Sequence, residues 1–112
     1  MRVLMAVVVG MAVLGFALWL SAGPARAVPP SIEAGADLAA RWCAGCHVVS
    51  NDGAGTDAAP SFVSISRTRT AAQLKAFLAK PHAKPMRGFT LSARETADVV
   101  AYIASLNQAG KK

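Results

Sequence analysis

An uncharged apolar run from Val3 to Leu20 opens the chain, and nothing like it returns. Past residue 30 the apolar side chains come in spaced sets. Ala39, Trp42, Cys43 and Cys46 fall at i, i+3, i+4 and i+7, one face of a helix capped by Ser31 and predicted to run to about Val48. Leu74, Phe77 and Leu78 repeat the spacing behind a Thr70/Gln73 capping box. Pro81 ends that helix, because proline has no N–H to donate and clashes with the preceding turn. Val99, Tyr102, Ile103 and Leu106 repeat the spacing again behind a Ser92/Glu95 box. Between these sets, Ser50 to Pro60 is rich in turn formers and reads as a loop, and Ser61 to Ser66 as a single helical turn with Phe62 and Ile65 inward. Pro81 to Thr90 reads as a second loop, and the tail from Asn107 as frayed. No stretch alternates with the two-residue period of a half-buried strand. The pattern predicts an all-α domain of three helices and two long loops.

The opening run belongs to a separate segment, 1–27. Arg2 gives it a positive start, Ser21 to Pro24 break it, and Ala25-Arg26-Ala27 fits the small-x-small site of a signal peptidase. Cleavage after Ala27 is expected, leaving 28–112 as the exported domain. The alternative is an uncleaved membrane anchor, since the run exceeds the roughly 7–15 residues of a usual signal core and approaches the length of a spanning helix. What remains is small for a domain, and chains of this size often rely on a disulfide, a metal or a cofactor. The only cysteines, Cys43 and Cys46, are too close to staple anything distant.

Charge is divided along the chain. The formal +6 includes Arg2 and Arg26, so 28–112 carries +4. Residues 28–66 set Arg41 against Glu33, Asp37, Asp52 and Asp57, whereas 67–112 set nine Lys or Arg against Glu95 and Asp98. A basic half suits an acidic protein or an anionic surface. Export argues against nucleic acid, as does the lack of aromatic–basic interleaving.

The candidate chemistry lies in Trp42-Cys43-Ala44-Gly45-Cys46-His47. Thiol–disulfide exchange sites open a helix after a strand, and no strand pattern precedes Cys43. A zinc site would need Cys43, Cys46, His47 and His82, with no second close pair. Haem attachment accounts for the spacing. Cys43, Cys46 and His47 at i, i+3 and i+4 share one helical face, so two thiols can bond the vinyl groups of one haem while His47 meets the iron. The iron's other side has two candidates in the second loop, Met86 and His82. Met86 is the only methionine after the expected cleavage site, and its neighbours Lys84, Pro85, Arg87 and Gly88 are poor core context. A flexible thioether there suits a ligand better than a core filler. His82 reads as a surface or capping imidazole.

From about Gly35 to Leu106 these residues resemble a class I c-type cytochrome, a small monohaem electron carrier of the bacterial periplasm. The strongest element is Cys43 to His47, followed by Pro60, the methionine loop Pro81 to Met86 and the last helix Ala97 to Leu106. The resemblance implies a cytochrome c fold, with three main helices wrapped around one covalently bound haem c, preceded here by the apolar signal helix. It implies iron held by His47 and Met86, and a Pro60 carbonyl that accepts the His47 ring N–H. It also implies a close crossing of the first and last helices at Gly35 and Tyr102. Many members carry an aromatic residue where Ala39 stands, which leaves Leu38 or Trp42 to fill that space. Arg67 and Arg69 are candidates to meet the haem carboxylates. The expected function is one-electron transfer rather than enzymatic catalysis, with Lys80, Lys84 and Arg87 steering the carrier onto an acidic redox partner. The alternatives are a cytochrome subunit of a periplasmic dehydrogenase, or a sensor or enzyme with an open iron site.

Overall fold

The computed structural model describes residues 23–84, 86 and 88–109. The apolar run Val3 to Leu20 lies outside the described residues, as do Pro85, Arg87, Lys111 and Lys112. Among the described residues there is no strand ladder. Helices α1 (Ile32–Trp42), α2 (Phe62–Thr68), α3 (Ala71–Leu78) and α4 (Ala93–Ala109) follow in order, with two isolated bridges, His47 to Ala59 and Val48 to Gly55. No helix among the described residues is long and apolar enough to cross a membrane.

Each helix start is closed by a local side chain. The Ser31 hydroxyl accepts the Ala34 N–H at the head of α1, and the Ser61 hydroxyl accepts the Ser64 N–H at the head of α2. Thr70 and Gln73 close a reciprocal box at α3. Ser92 and Glu95 do the same ahead of α4, at 2.8 and 3.2 Å. These bonds satisfy N–H groups that a helix end otherwise leaves without partners.

The core forms where α1, α2 and α3 pack against α4. Leu38, Ala39, Val49, Phe62, Leu74, Val99, Val100, Ile103 and Leu106 are buried together. Helices α1 and α4 approach most closely at Gly35. A Cβ there would overlap the Asp98 carbonyl and lie 2.8 Å from Tyr102 Cβ, so only glycine admits this crossing. One turn away, the buried Asp98 carboxylate accepts the Ser31 backbone N–H at 2.7 Å and pairs with Arg94 Nε at 3.2 Å. Arg94 Nη1 also donates to the Val28 carbonyl at 2.9 Å. The extended lead-in is thereby clipped to α4.

The structure departs from the periodicity in several places. Helix α1 ends at Trp42 rather than near Val48. Its predicted apolar face therefore breaks: Ala39 is fully buried, but Trp42 is 65% exposed. Leu38, rather than Trp42, is the large side chain buried in this part of α1. Phe77 is likewise 54% exposed rather than inward. Helix α2 is longer than the one turn expected, and α4 continues through Asn107 to Ala109.

Candidate functional site

The motif sits on a single turn beyond α1. The N–H groups of Cys46 and His47 both donate to the Cys43 carbonyl, at 3.1 and 2.9 Å. That turn preserves the i, i+3, i+4 relation after the helix has ended, and Cys43, Cys46 and His47 line one cavity of about 340 Å³. The following loop folds back over the turn. The Thr56 N–H donates to the His47 carbonyl at 3.0 Å, and the Ala58 and Ala59 N–H groups donate to the Cys46 carbonyl at 3.0 and 2.8 Å. Gly55 makes this possible. Its φ of +116° suits glycine, and a Cβ there would overlap the His47 carbonyl. The far end is pinned by the Phe62 N–H, which donates to the Val48 carbonyl at 2.9 Å. Helix α4 adds the Tyr102 hydroxyl, which donates to the Val49 carbonyl at 2.6 Å.

This folded loop delivers Pro60 to His47. His47 Nδ1 lies 2.6 Å from the Pro60 carbonyl oxygen. A carbonyl only accepts, so Nδ1 carries the proton and Nε2 of the neutral ring keeps a free lone pair. The Phe62 ring packs beside the imidazole, with centroids 5.4 Å apart.

His47 and Met86 also line a second cavity of about 80 Å³, walled by Phe62, Leu74 and Ile103. A third, of about 530 Å³, again includes both residues and has Ser64, Thr68, Arg69 and Gln73 in its wall. His82 lines none of the three; its ring stacks on Phe77 instead. Arg69 reaches the third cavity and Arg67 does not.

Thiol chemistry alone fits this site poorly. Burial pushes the Cys43 thiol up to about 11, which keeps it protonated at neutral pH, whereas exchange sites lower the pKa of the attacking cysteine. The four-residue zinc set is not assembled either: among the described residues no cluster of three or more His, Cys, Asp or Glu side chains is placed to hold a metal ion. Haem fits better. The crevice has two thiols on one wall, an imidazole with a free Nε2, a thioether, and a polar wall with one guanidinium. Trp42 and Phe77, large apolar side chains that are mostly exposed, lie along its edges. A flat apolar macrocycle with two carboxylates matches all of these.

Gly55, Phe89 and Phe77 carried no site signal of their own kind in the sequence, and Trp42 entered the motif only as the neighbour of Cys43. Gly55 had only a turn signal, a glycine inside a turn-rich loop. The others were apolar residues assigned to a core or left unassigned.

The family model described as cytochrome C oxidase, cbb3-type, subunit III matches residues 30–103, and the chain belongs to that family of c-type cytochrome domains. Cytochrome c-552 of Bradyrhizobium diazoefficiens is 51% identical over 75 residues, covering 64% of this chain and 71% of that protein. No solved structure matches the chain. The protein is therefore a small monohaem c-type cytochrome. It carries covalent haem c and transfers electrons rather than remaking bonds.

Proposed function

We propose that the chain is a periplasmic one-electron carrier whose haem c is bonded to Cys43 and Cys46 and ligated by His47 and Met86. The observation that carries this reading is the cavity geometry: of all the lining residues, only His47 and Met86 are shared by the three cavities. When bound, haem c supplies an iron that alternates between ferrous and ferric states by one electron.

The chain's own residues do the rest. The bond to Pro60 fixes the tautomer and plane of the His47 ring, leaves Nε2 for the metal and raises its basicity. Met86 offers a soft thioether, which raises the reduction potential relative to a second imidazole. Phe62, Leu74 and Ile103 keep water from the apolar wall. Arg69, in the wall of the third cavity, is read as the partner of the haem carboxylates.

Segment 1–27 is read as an export signal removed after Ala27, and 28–112 as the functional domain. The exposed Lys80 and Lys84, with Arg87 between them and α4 in sequence, are read as steering the domain onto an acidic redox partner. The family's description names an oxidase subunit. That favours a second reading, a haem-bearing subunit relaying electrons within an oxidase. Co-purification with a membrane oxidase would separate the two.

Met86→Ala tests the ligation. The weak sulfur-to-iron absorption band of the ferric protein should vanish and the potential should fall, while the covalent haem stays in place. If His82→Ala abolishes the band and Met86→Ala leaves it, the assignment is wrong.

A further inference from the structure

We propose that the Phe77–His82 ring stack is a clasp that holds the Met86 loop onto α3. The inference rests on the reading of Met86 as an iron ligand and makes Phe77 and His82 positioning residues for it.

The loop needs such a device. Among the described residues, the backbone from Pro81 to Phe89 makes one hydrogen bond, from the Phe89 N–H to the Met86 carbonyl at a long 3.4 Å, and that bond is internal to the loop. No described side-chain hydrogen bond or ion pair ties the loop to the helices. Among the described residues, then, it is packing that holds Met86 in place. On the C-terminal side, Phe89 lines two of the cavities and Leu91 packs on the core. On the N-terminal side, the contact found is His82 on Phe77, with ring centroids 4.6 Å apart and planes inclined by 26°. This lies in the offset-stacked range favoured by aromatic quadrupoles.

Phe77 suits the role by position. It is the penultimate residue of α3, where the Lys80 N–H donates back to its carbonyl at 3.3 Å. Phe77 remains 54% exposed with His82 against it, so it stands at the surface, within reach of a loop side chain. It also lines two cavities that Met86 lines. One side chain thus touches both the wall of the haem crevice and the strap that carries the ligand. The stack also accounts for His82, an imidazole in the ligand loop that reaches none of the three cavities.

The test uses mature holoprotein as wild type, His82→Ala and His82→Phe. Imidazole is added to the ferric form. Its binding rate reports how often Met86 leaves the iron, and the sulfur-to-iron band reports the fraction bound. His82→Ala should bind imidazole about three- to tenfold faster, the change expected from losing one aromatic pair, with a weaker band. His82→Phe keeps a ring on Phe77 and should match wild type. Equal rates in wild type and His82→Ala, with the band present in both, would overturn the clasp alone. A His82→Phe protein as fast as His82→Ala would also overturn it, since the imidazole nitrogens rather than the stack would then matter. A wild-type protein without the band would overturn the ligation reading and the clasp together.

Discussion

One hydroxyl joins the last helix to Val49, two residues beyond the haem motif. Tyr102 donates to the Val49 carbonyl at 2.6 Å, a bond that only the neutral phenol can make. Burial raises the Tyr102 pKa, with a smaller contribution from the Asp52 carboxylate. The folded state therefore holds this proton more tightly than the unfolded chain. Its contribution to stability is complete below the unfolded value of about 10 and fades as pH rises through the higher folded value. Denaturant unfolding at pH 8 and pH 11 should show a smaller alkaline loss for Tyr102→Phe than for wild type. Equal losses would show that this phenol does not couple folding to alkaline pH. At this scale the sequence is most readable where the chemistry is local. The caps at Ser31, Thr70 and Ser92 span three residues and follow from residue type alone. Tyr102 was legible only as a helix-crossing position. Its bond to Val49 spans the chain and leaves no periodic trace.

The crossing of α1 and α4 depends on a missing side chain. A Cβ at Gly35 would meet the Asp98 carbonyl, which is helix backbone and cannot rotate away. Gly35→Ala should therefore destabilise the holoprotein by roughly 1–3 kcal/mol through overpacking, despite alanine's better helix propensity. The measure is the shift in denaturant midpoint at constant slope. An unchanged or higher midpoint would mean that the helices separate without cost. Element identity was legible because periodicity and capping agreed in α1, α3 and α4. Element ends were less so. Continuing the α1 face through Cys46 required helix to Val48, yet the chain leaves α1 at Trp42 and keeps the cysteine spacing in a single turn. Trp42 then faces the crevice edge instead of the core. The loop over the motif was invisible as structure, because its order comes from backbone bonds to the Cys46 and His47 carbonyls, and backbone groups are the same in every sequence.

Across the whole molecule, the described part is four helices whose buried core forms where α1, α2 and α3 pack against α4, beside a crevice lined by the motif turn, Met86 and Arg69. With the proposed ligation, the cofactor would join the motif turn, the Met86 loop and the polar wall near Arg69, which would let a chain of this length manage without a distant disulfide. The Cys43–His47 motif was legible because haem attachment needs particular atoms, and few residue types supply them; Met86 was singled out on the same ground, and the structure puts it in the same three cavities as His47. How close His47 and Met86 lie in space was not legible, since 38 residues, α2 and α3 among them, separate the two in sequence. On the proposed ligation, His47 and Met86 would together close the iron and leave it to exchange electrons only. Carbon monoxide added to the ferrous wild-type protein at neutral pH tests this most directly. The absorption spectrum should stay unchanged, because His47 and Met86 would hold the iron from both sides and leave no position for the gas. Rapid, stoichiometric formation of a carbonyl adduct would contradict this ligation and would indicate an iron left open for sensing or catalysis.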